Sequence, residues 1–366
     1  MRKRVKKTIT SVNISHPVTK LRTNMANKHS KHRHTITRRF FLKLFSASLI
    51  GGQLAACTHK KFFNPDENIL LSGGDFADGN TTQNALLIIN LTQKEKRIIE
   101  TAFLPHGIYI NPGNKYSIFC IEKNGHNACE IDLQTQKVKQ TFHRTKQQIF
   151  SGHAAFSQDG KKIYCVESDL NNKQGSISIR DSKTLEIIKQ LPTLGLSPHD
   201  CQLTKDNVLT VSNTGKSESG FHQPSLVSIN LNTEKLVERI KLENDGLYQN
   251  GLNCGHFKIT ENNNLVIASA PTESRNTDLS GGVSIRKQNE SISTMTEPDV
   301  VIKRKTGATI GIYITHQQTI ASITHLQANF MAFQPLTTKP TIHAYRPATP
   351  PDLQPTLLTN RSVIVT

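Results

Sequence analysis

Four histidines, His106, His153, His199 and His256, stand 47, 46 and 57 residues apart, each beside a glycine or proline: Pro105-His106-Gly107, Gly152-His153, Pro198-His199-Asp200 and Gly255-His256. Imidazole nitrogens ligate Fe, Cu, Zn or Ni and also act as general bases. The carboxylates of Asp200, Glu167 and Glu122 lie near these histidines in sequence, as do the thiols of Cys201 and Cys254. Together they are candidate axial ligands or polar-channel residues, with the four histidines as the metal-ligating set. None of the spacings is a compact metal motif, so this chemistry exists only if the fold gathers distant residues. The alternative use of the same histidines is structural, each ring bonding its adjacent loop.

The elements between the histidines suggest how they could meet. From Ser151 to Glu167 the chain reads as a strand, an Asp159-Gly160 turn and a second strand, and Gly175 to Arg180 and Thr184 to Lys189 follow as a third and fourth. The segment from Pro105 to Cys120 repeats the layout, and further units open at Pro198 and Gly255. A period near 45 residues with four short strands predicts the blades of a β-propeller. The innermost strand of each blade then starts near one rim of a central channel, where residues about 50 positions apart converge.

The predicted fold class is therefore all-β, a propeller of four-stranded antiparallel blades occupying residues 69–366. A further blade is expected near Gly311, and the segments 69–103 and 340–366 are expected to share one. This suits seven blades, with six or eight left open. Residues 271–310 read partly as a long loop, and a two-domain sandwich is the rival architecture.

The formal net charge of +17 belongs mainly to the start of the chain. Residues 1–56 carry 13 Lys or Arg and no Asp or Glu, which leaves 32 basic against 28 acidic residues elsewhere. A nucleic-acid partner is therefore not expected. Thr37-Arg38-Arg39-Phe40-Phe41-Leu42-Lys43 resembles a twin-arginine export motif, with Arg38 and Arg39 as its pair. A short apolar stretch, Leu44 to Leu54, has signal-peptide proportions. Leu54-Ala55-Ala56-Cys57 resembles a lipobox, so Cys57 is the expected lipidation site. Residues 1–56 thus read as a basic leader and 57–68 as a tether, with Met1 and Met25 both open as starts. An ordinary signal or an uncleaved anchor is the competing account. Cys120, Cys129, Cys165, Cys201 and Cys254 contain no close CxxC pair; Cys120 and Cys165 end similar apolar runs and read as buried small hydrophobes.

The unit Gly-His-x-x-Phe-Ser-x-Asp-Gly-x-x-x-Tyr at 152–164 resembles the repeats of YVTN-type and lactonase-like propellers. Taken in order, the twin-arginine leader, Pro105-His106-Gly107, Gly152-His153 with Phe156-Ser157, Glu167-Ser168-Asp169, Gly195 to Asp200, Val211 to Gly215, Pro224 to Ile229 and Gly255-His256 resemble the periplasmic propeller family of unknown function 1513. The resemblance covers roughly 70–330 and implies an envelope role in iron or redox biology, without an established activity. This sequence departs from the family pattern at Asp200, where Glu is usual, and at Asn253-Cys254-Gly255-His256.

The expected function is accordingly an envelope-associated binding or interaction module linked to metal or redox traffic. Its expected partners are an envelope protein or a small polar ligand, and its cofactor a transition metal if any. The expected place is the periplasm of a Gram-negative bacterium, with a lipid anchor in the outer membrane. An exported lactonase-like hydrolase, with the histidines and Asp200 orienting water, is the alternative, although no nucleophile elbow, zincin helix or CxxCH motif is present. A purely structural scaffold is the third reading. The leader generates one direct expectation: intact mass of membrane-extracted protein shows a chain beginning at acylated Cys57. A mature chain retaining residues 37–56, or an unlipidated one starting at Thr58, contradicts it.

Overall fold

The computed structural model describes residues 63–64, 67–78, 81–242, 251–272, 280–288, 290–295, 309–315, 317–325, 330–336, 343–345, 356–358 and 362–364. The leader, Arg38, Arg39 and Cys57 lie outside the described residues. The protein is an all-β propeller. Its first sheet holds β1 (Ile69–Asp78), β2 (Thr81–Asn90) and β3 (Glu95–Thr101). The second holds β4 (Pro105–Asn111), β5 (Asn114–Glu122), β6 (Asn127–Asp132) and β7 (Lys137–His143). The third is β8 (Gln148–Phe156), β9 (Lys162–Asp169), β10 (Gln174–Asp181) and β11 (Ile187–Leu196).

In the fourth blade, β12 (Pro198–Leu203) and β13 (Val208–Asn213) are followed by a small hairpin of β14 (Lys216–Ser217) and β15 (Gly220–Phe221), then by β16 (Ser225–Asn230) and β17 (Lys235–Lys241). The fifth is β18 (His256–Ile259), β19 (Leu265–Ser269), β20 (Gly282–Arg286) and β21 (Ser293–Thr294). The sixth is β22 (Thr309–Ile314), β23 (Ile320–His325), β24 (Phe330–Pro335) and β25 (His343–Tyr345). Finally β26 (Thr356–Leu358) and β27 (Ser362–Ile364) join the first sheet, β27 pairing with β1.

Among the described residues the propeller has six blades, where the sequence suited seven. The two chain ends do share a sheet, but that shared sheet is the first blade itself. The segment 271–310 also contains β20 and β21, so its described part is a blade edge as well as loop.

The repeat is maintained by turn chemistry as much as by apolar pattern. At the end of the third strand in blades two, three and four stand Asp132, Asp181 and Asn230. Each side chain accepts the backbone N–H two residues on, at 2.7, 2.8 and 2.9 Å. The fourth residue after each, Gln136, Leu185 and Glu234, has positive φ and turns the chain into the outer strand. Asn90 in the first blade ends its strand likewise, accepting Gln93 N–H at 2.9 Å, with Lys94 at positive φ.

The apolar core is divided among the clefts between neighbouring blades. Ile69, Leu86, Ile108, Ile118 and Ile131 pack between blades one and two. Phe119, Phe142, Phe150, Ile163 and Cys165 fill the next cleft, and Tyr164, Ile177, Cys201, Val211 and Val227 the one after. Sheet-on-sheet burial of this kind supplies the main favourable term for the fold.

Glu167, a candidate channel residue from sequence, belongs instead to a buried structural network in blade three. Its Oε1 accepts Ser178 Oγ at 2.5 Å and Arg180 Nη2 at 3.4 Å, while Oε2 accepts the Thr145 backbone N–H at 3.1 Å. Arg180 also donates to the His143 and Leu185 carbonyls and lies over the rings of Phe142 and Phe150. The network joins blade three to the end of blade two, and it consumes the carboxylate. Replacing Glu167 by Ala leaves the buried guanidinium uncompensated and is expected to destabilise the protein by about 3–5 kcal/mol. Urea unfolding of E167A measures this, and an unchanged midpoint contradicts it.

Candidate functional site

Each inner strand of blades two, three and four has a register irregularity at its histidine. It falls between Pro105 and Gly107 in β4, between Phe150 and Ala154 in β8, and between Pro198 and Cys201 in β12. A bulge bends the strand and re-aims the side chain that occupies it. His256 begins β18 directly opposite Ala268, in regular register. The sixth blade has the corresponding irregularity between Thr309 and Ile312, but no histidine stands there.

The four rings meet at the end of the channel from which the inner strands start. His106 Nε2 lies 3.3 Å from His153 Nε2, and His199 Nε2 lies 3.1 Å from His256 Nε2. His153 is central: its ring centroid is 5.0 Å from that of His106, 4.9 Å from His199 and 5.0 Å from His256. His153, His199 and His256 each place a ligand nitrogen within 4.8 Å of the others.

The opposite edges of two rings are held by polar partners. Asp200 Oδ2 is 3.4 Å from His256 Nδ1, and Oδ1 is 3.6 Å from His153 Nδ1. The Tyr109 hydroxyl is 3.1 Å from the same His153 nitrogen. Asp200 is itself fixed, its Oδ1 accepting the Cys201 N–H at 2.8 Å and its own N–H donating to Ser212 Oγ at 3.0 Å. A carboxylate behind Nδ1 draws the ring proton to that side, which turns the Nε2 lone pair inward.

Electrostatics favour neutral rings. Burial, with the Lys123 ammonium and the His256 ring adding to it, pushes His106 down to about 3. Burial first and neighbouring imidazoles next hold His153 and His199 well below the ordinary histidine range. Burial pushes the Asp200 carboxyl up, but the His256 hydrogen bond, Lys258 and the Cys201 N–H together hold it below its usual value. Burial also keeps the Tyr109 phenol protonated. His106, His153 and His199 are thus uncharged nitrogen donors, and one anion, Asp200, backs the cluster.

The other sequence candidates lie elsewhere. Glu167 is in the network described above. Glu122 caps the β5–β6 turn, its Oε2 accepting the backbone N–H groups of His126 and Asn127. Cys201 packs against Tyr164, Leu209 and Val211 between blades, and Cys254 is fully buried. Burial pushes the Cys201 thiol well up and Cys254 up to about 12, so neither offers a thiolate. Adjacent strand residues point to opposite faces; Cys201, following Asp200, therefore faces the core.

Tyr109 and Ser212 escaped the sequence reading. A regular strand puts residues three apart on opposite faces, which separates His106 from Tyr109; the bulge beside His106 removes that parity. Gly152 carries a second, local constraint. It has φ of 99°, and a β-carbon there would stand 2.6 Å from His106 Cδ2 and 3.1 Å from the Lys123 α-carbon. The glycine before His153 therefore makes room for the histidine of the preceding blade. Gly152→Ala is expected to destabilise the protein by about 2–4 kcal/mol through backbone strain and overpacking. Denaturant unfolding tests this, and wild-type stability in the variant contradicts it.

Solved structures share the architecture at low sequence identity. Hydrazine synthase from Kuenenia stuttgartiensis aligns with a TM-score of 0.57 and 13% identity over 78% of this chain and 80% of that one. A hypothetical selenium-binding protein from Sulfolobus tokodaii aligns at 0.56 and 9% identity, over 77% and 75%. The Dos1 propeller aligns at 0.50 and 10% identity, over 73% and 68%. These likenesses show the fold alone. No curated protein matches the chain. The family model described as protein of unknown function (DUF1513) matches residues 101–346, a span that contains all four channel histidines, and the chain belongs to that family.

Proposed function

We propose that this protein is an envelope-associated binding module whose channel histidines hold one transition-metal ion. The observation that carries the reading is the pair of inward Nε2 contacts, 3.3 Å for His106 with His153 and 3.1 Å for His199 with His256. Two nitrogens bound to one ion at about 2.0–2.1 Å and a tetrahedral angle are about 3.3 Å apart, the spacing of each pair, and His153, His199 and His256 bring three nitrogens within 4.8 Å of one another. All-imidazole donors suit Zn, Cu, Fe or Ni. Asp200 and Tyr109 fit the supporting shell that orients metal-bound histidines. Neutral rings with inward lone pairs are the protonation state that coordination requires.

Linkage to iron or redox traffic is the finer part of the proposal. It rests on the donor set and on the exported, Cys57-anchored form that the leader suggests. In that setting the propeller presents the metal at one channel mouth, and the loops around it supply the surface for an envelope partner.

Elemental analysis and metal titration of the mature domain test this. One equivalent of Fe, Cu, Zn or Ni is expected to bind, and the double change His153→Ala with His199→Ala is expected to abolish binding while the β-sheet circular dichroism persists. Asp200→Asn, which keeps shape but removes the anion behind two rings, is expected to weaken affinity about 10–100-fold. No binding at micromolar metal overturns the proposal.

A further inference from the structure

A second feature opens at the same end of the blades. In an antiparallel blade the start of strand one, the turn between strands two and three, and the end of strand four share one end. His126 and Asn127 at the β5–β6 turn, His143 and Arg144 at the end of β7, Lys146 before β8 and Leu170 after β9 line one open cleft of about 670 Å³ between blades two and three. Its volume is that of a small-molecule site.

The lining is cationic. Arg144 and Lys146 bring two positive charges beside the rings of His126 and His143 and the amides of Asn127 and Gln147, whereas no carboxylate is among the lining residues. Of the carboxylates close in sequence, Asp169 accepts the backbone N–H groups of Asn171 and Asn172, Glu122 those of His126 and Asn127, and Glu167 serves Ser178, Arg180 and the Thr145 N–H. Neither Arg144 nor Lys146 has an ion-pair partner among the described residues. Arg144 Nη1 donates to the Thr145 carbonyl at 3.1 Å, yet Arg144 Nε is buried with no hydrogen-bond partner, as is the neighbouring Thr145 Oγ1. The half-buried guanidinium meets no carboxylate among the described residues, and a guanidinium is the group that takes an oxyanion with directional donors.

We infer that this cleft is a binding site for a multivalent oxyanion, carried by a carboxylate or a phosphate. Arg144 supplies the directional donors, Lys146 the second charge, Gln147 an amide donor, and Leu170 a wall for the carbon part of an organic anion. The β5–β6 turn connects the cleft with the histidines, since Lys123 at its start and His106 both pack against Gly152, and His126 and Asn127 at its end line the cleft. The inference does not depend on metal occupancy of the channel.

Isothermal titration of the full mature chain with citrate and with inorganic phosphate, at constant ionic strength, tests it. Saturable binding at sub-millimolar concentration is expected for at least one, weakened at least tenfold in Arg144→Gln with Lys146→Gln. Stronger citrate binding identifies a carboxylate site, stronger phosphate binding a phosphate site. Glu186→Gln with Lys183→Gln, on the β10–β11 turn, serves as a remote control and is expected to leave affinity unchanged. The Arg144/Lys146 variant should keep its urea midpoint and its metal stoichiometry, which separates failure of the cleft from failure of the channel proposal. Binding of neither anion at millimolar concentration, or binding that survives the double change, overturns the inference.

Discussion

The site depends on a kink in the innermost strands. Three of the four histidines sit where the ladder between first and second strands loses register, and that local freedom lets a side chain leave the pleat and enter the channel. His256 reaches the cluster from the very start of β18 in regular register, whereas Cys201, within β12, projects toward a neighbouring blade. The close approach of blades then adds its own demand: His106 occupies the space that any side chain at 152 would need. The ring cluster and the backbone around it are therefore one packing problem, and the glycine and the histidine are solutions to it in adjacent blades.

Gathering four imidazoles in a confined channel is electrostatically costly if they are charged and tolerable if they are neutral. Burial, mutual proximity and Lys123 all act against protonation. Asp200 provides the only carboxylate in contact with the rings among the described residues, and its two oxygens reach two different histidines. One anion thus orients half of the cluster. The same division of labour is seen in blade three, where Glu167 is satisfied by Ser178, Arg180 and a backbone N–H. The two carboxylates have opposite consequences: Glu167 locks two blades together, and Asp200 shapes a donor set.

The end of the propeller that carries the histidines is built from connections rather than from a single strand. The β5–β6 turn has Lys123 beside the histidines and His126 and Asn127 in the neighbouring cleft. Blades two and three share a tightly packed aromatic cleft beneath it, with Phe119, Phe142 and Phe150 edge to face. A rigid base under polar loops is the usual way a scaffold positions binding groups. In this protein it places a basic cleft and a nitrogen-rich channel at one end of the same pair of blades.

The sequence by itself determined the repeat and the positions of the histidines within it. Apolar runs, Asx turns and an interval near 45 residues are local properties, and each blade writes them in its own segment. That the end segments of the propeller share a sheet was an expectation from sequence; the pairing of β27 with β1, between residues nearly the whole chain apart, and the count of six blades among the described residues came from tertiary structure. Which acidic residue faces the rings was decided only by tertiary structure. Asp200 follows a histidine directly and Glu167 lies late in a second strand 14 residues after one, yet sequence offered both for the channel, because side-chain direction in a strand depends on register and a bulge reverses it. Tyr109 was hidden for the same reason: period-two alternation separates it from His106, and only the irregular ladder brings both to His153.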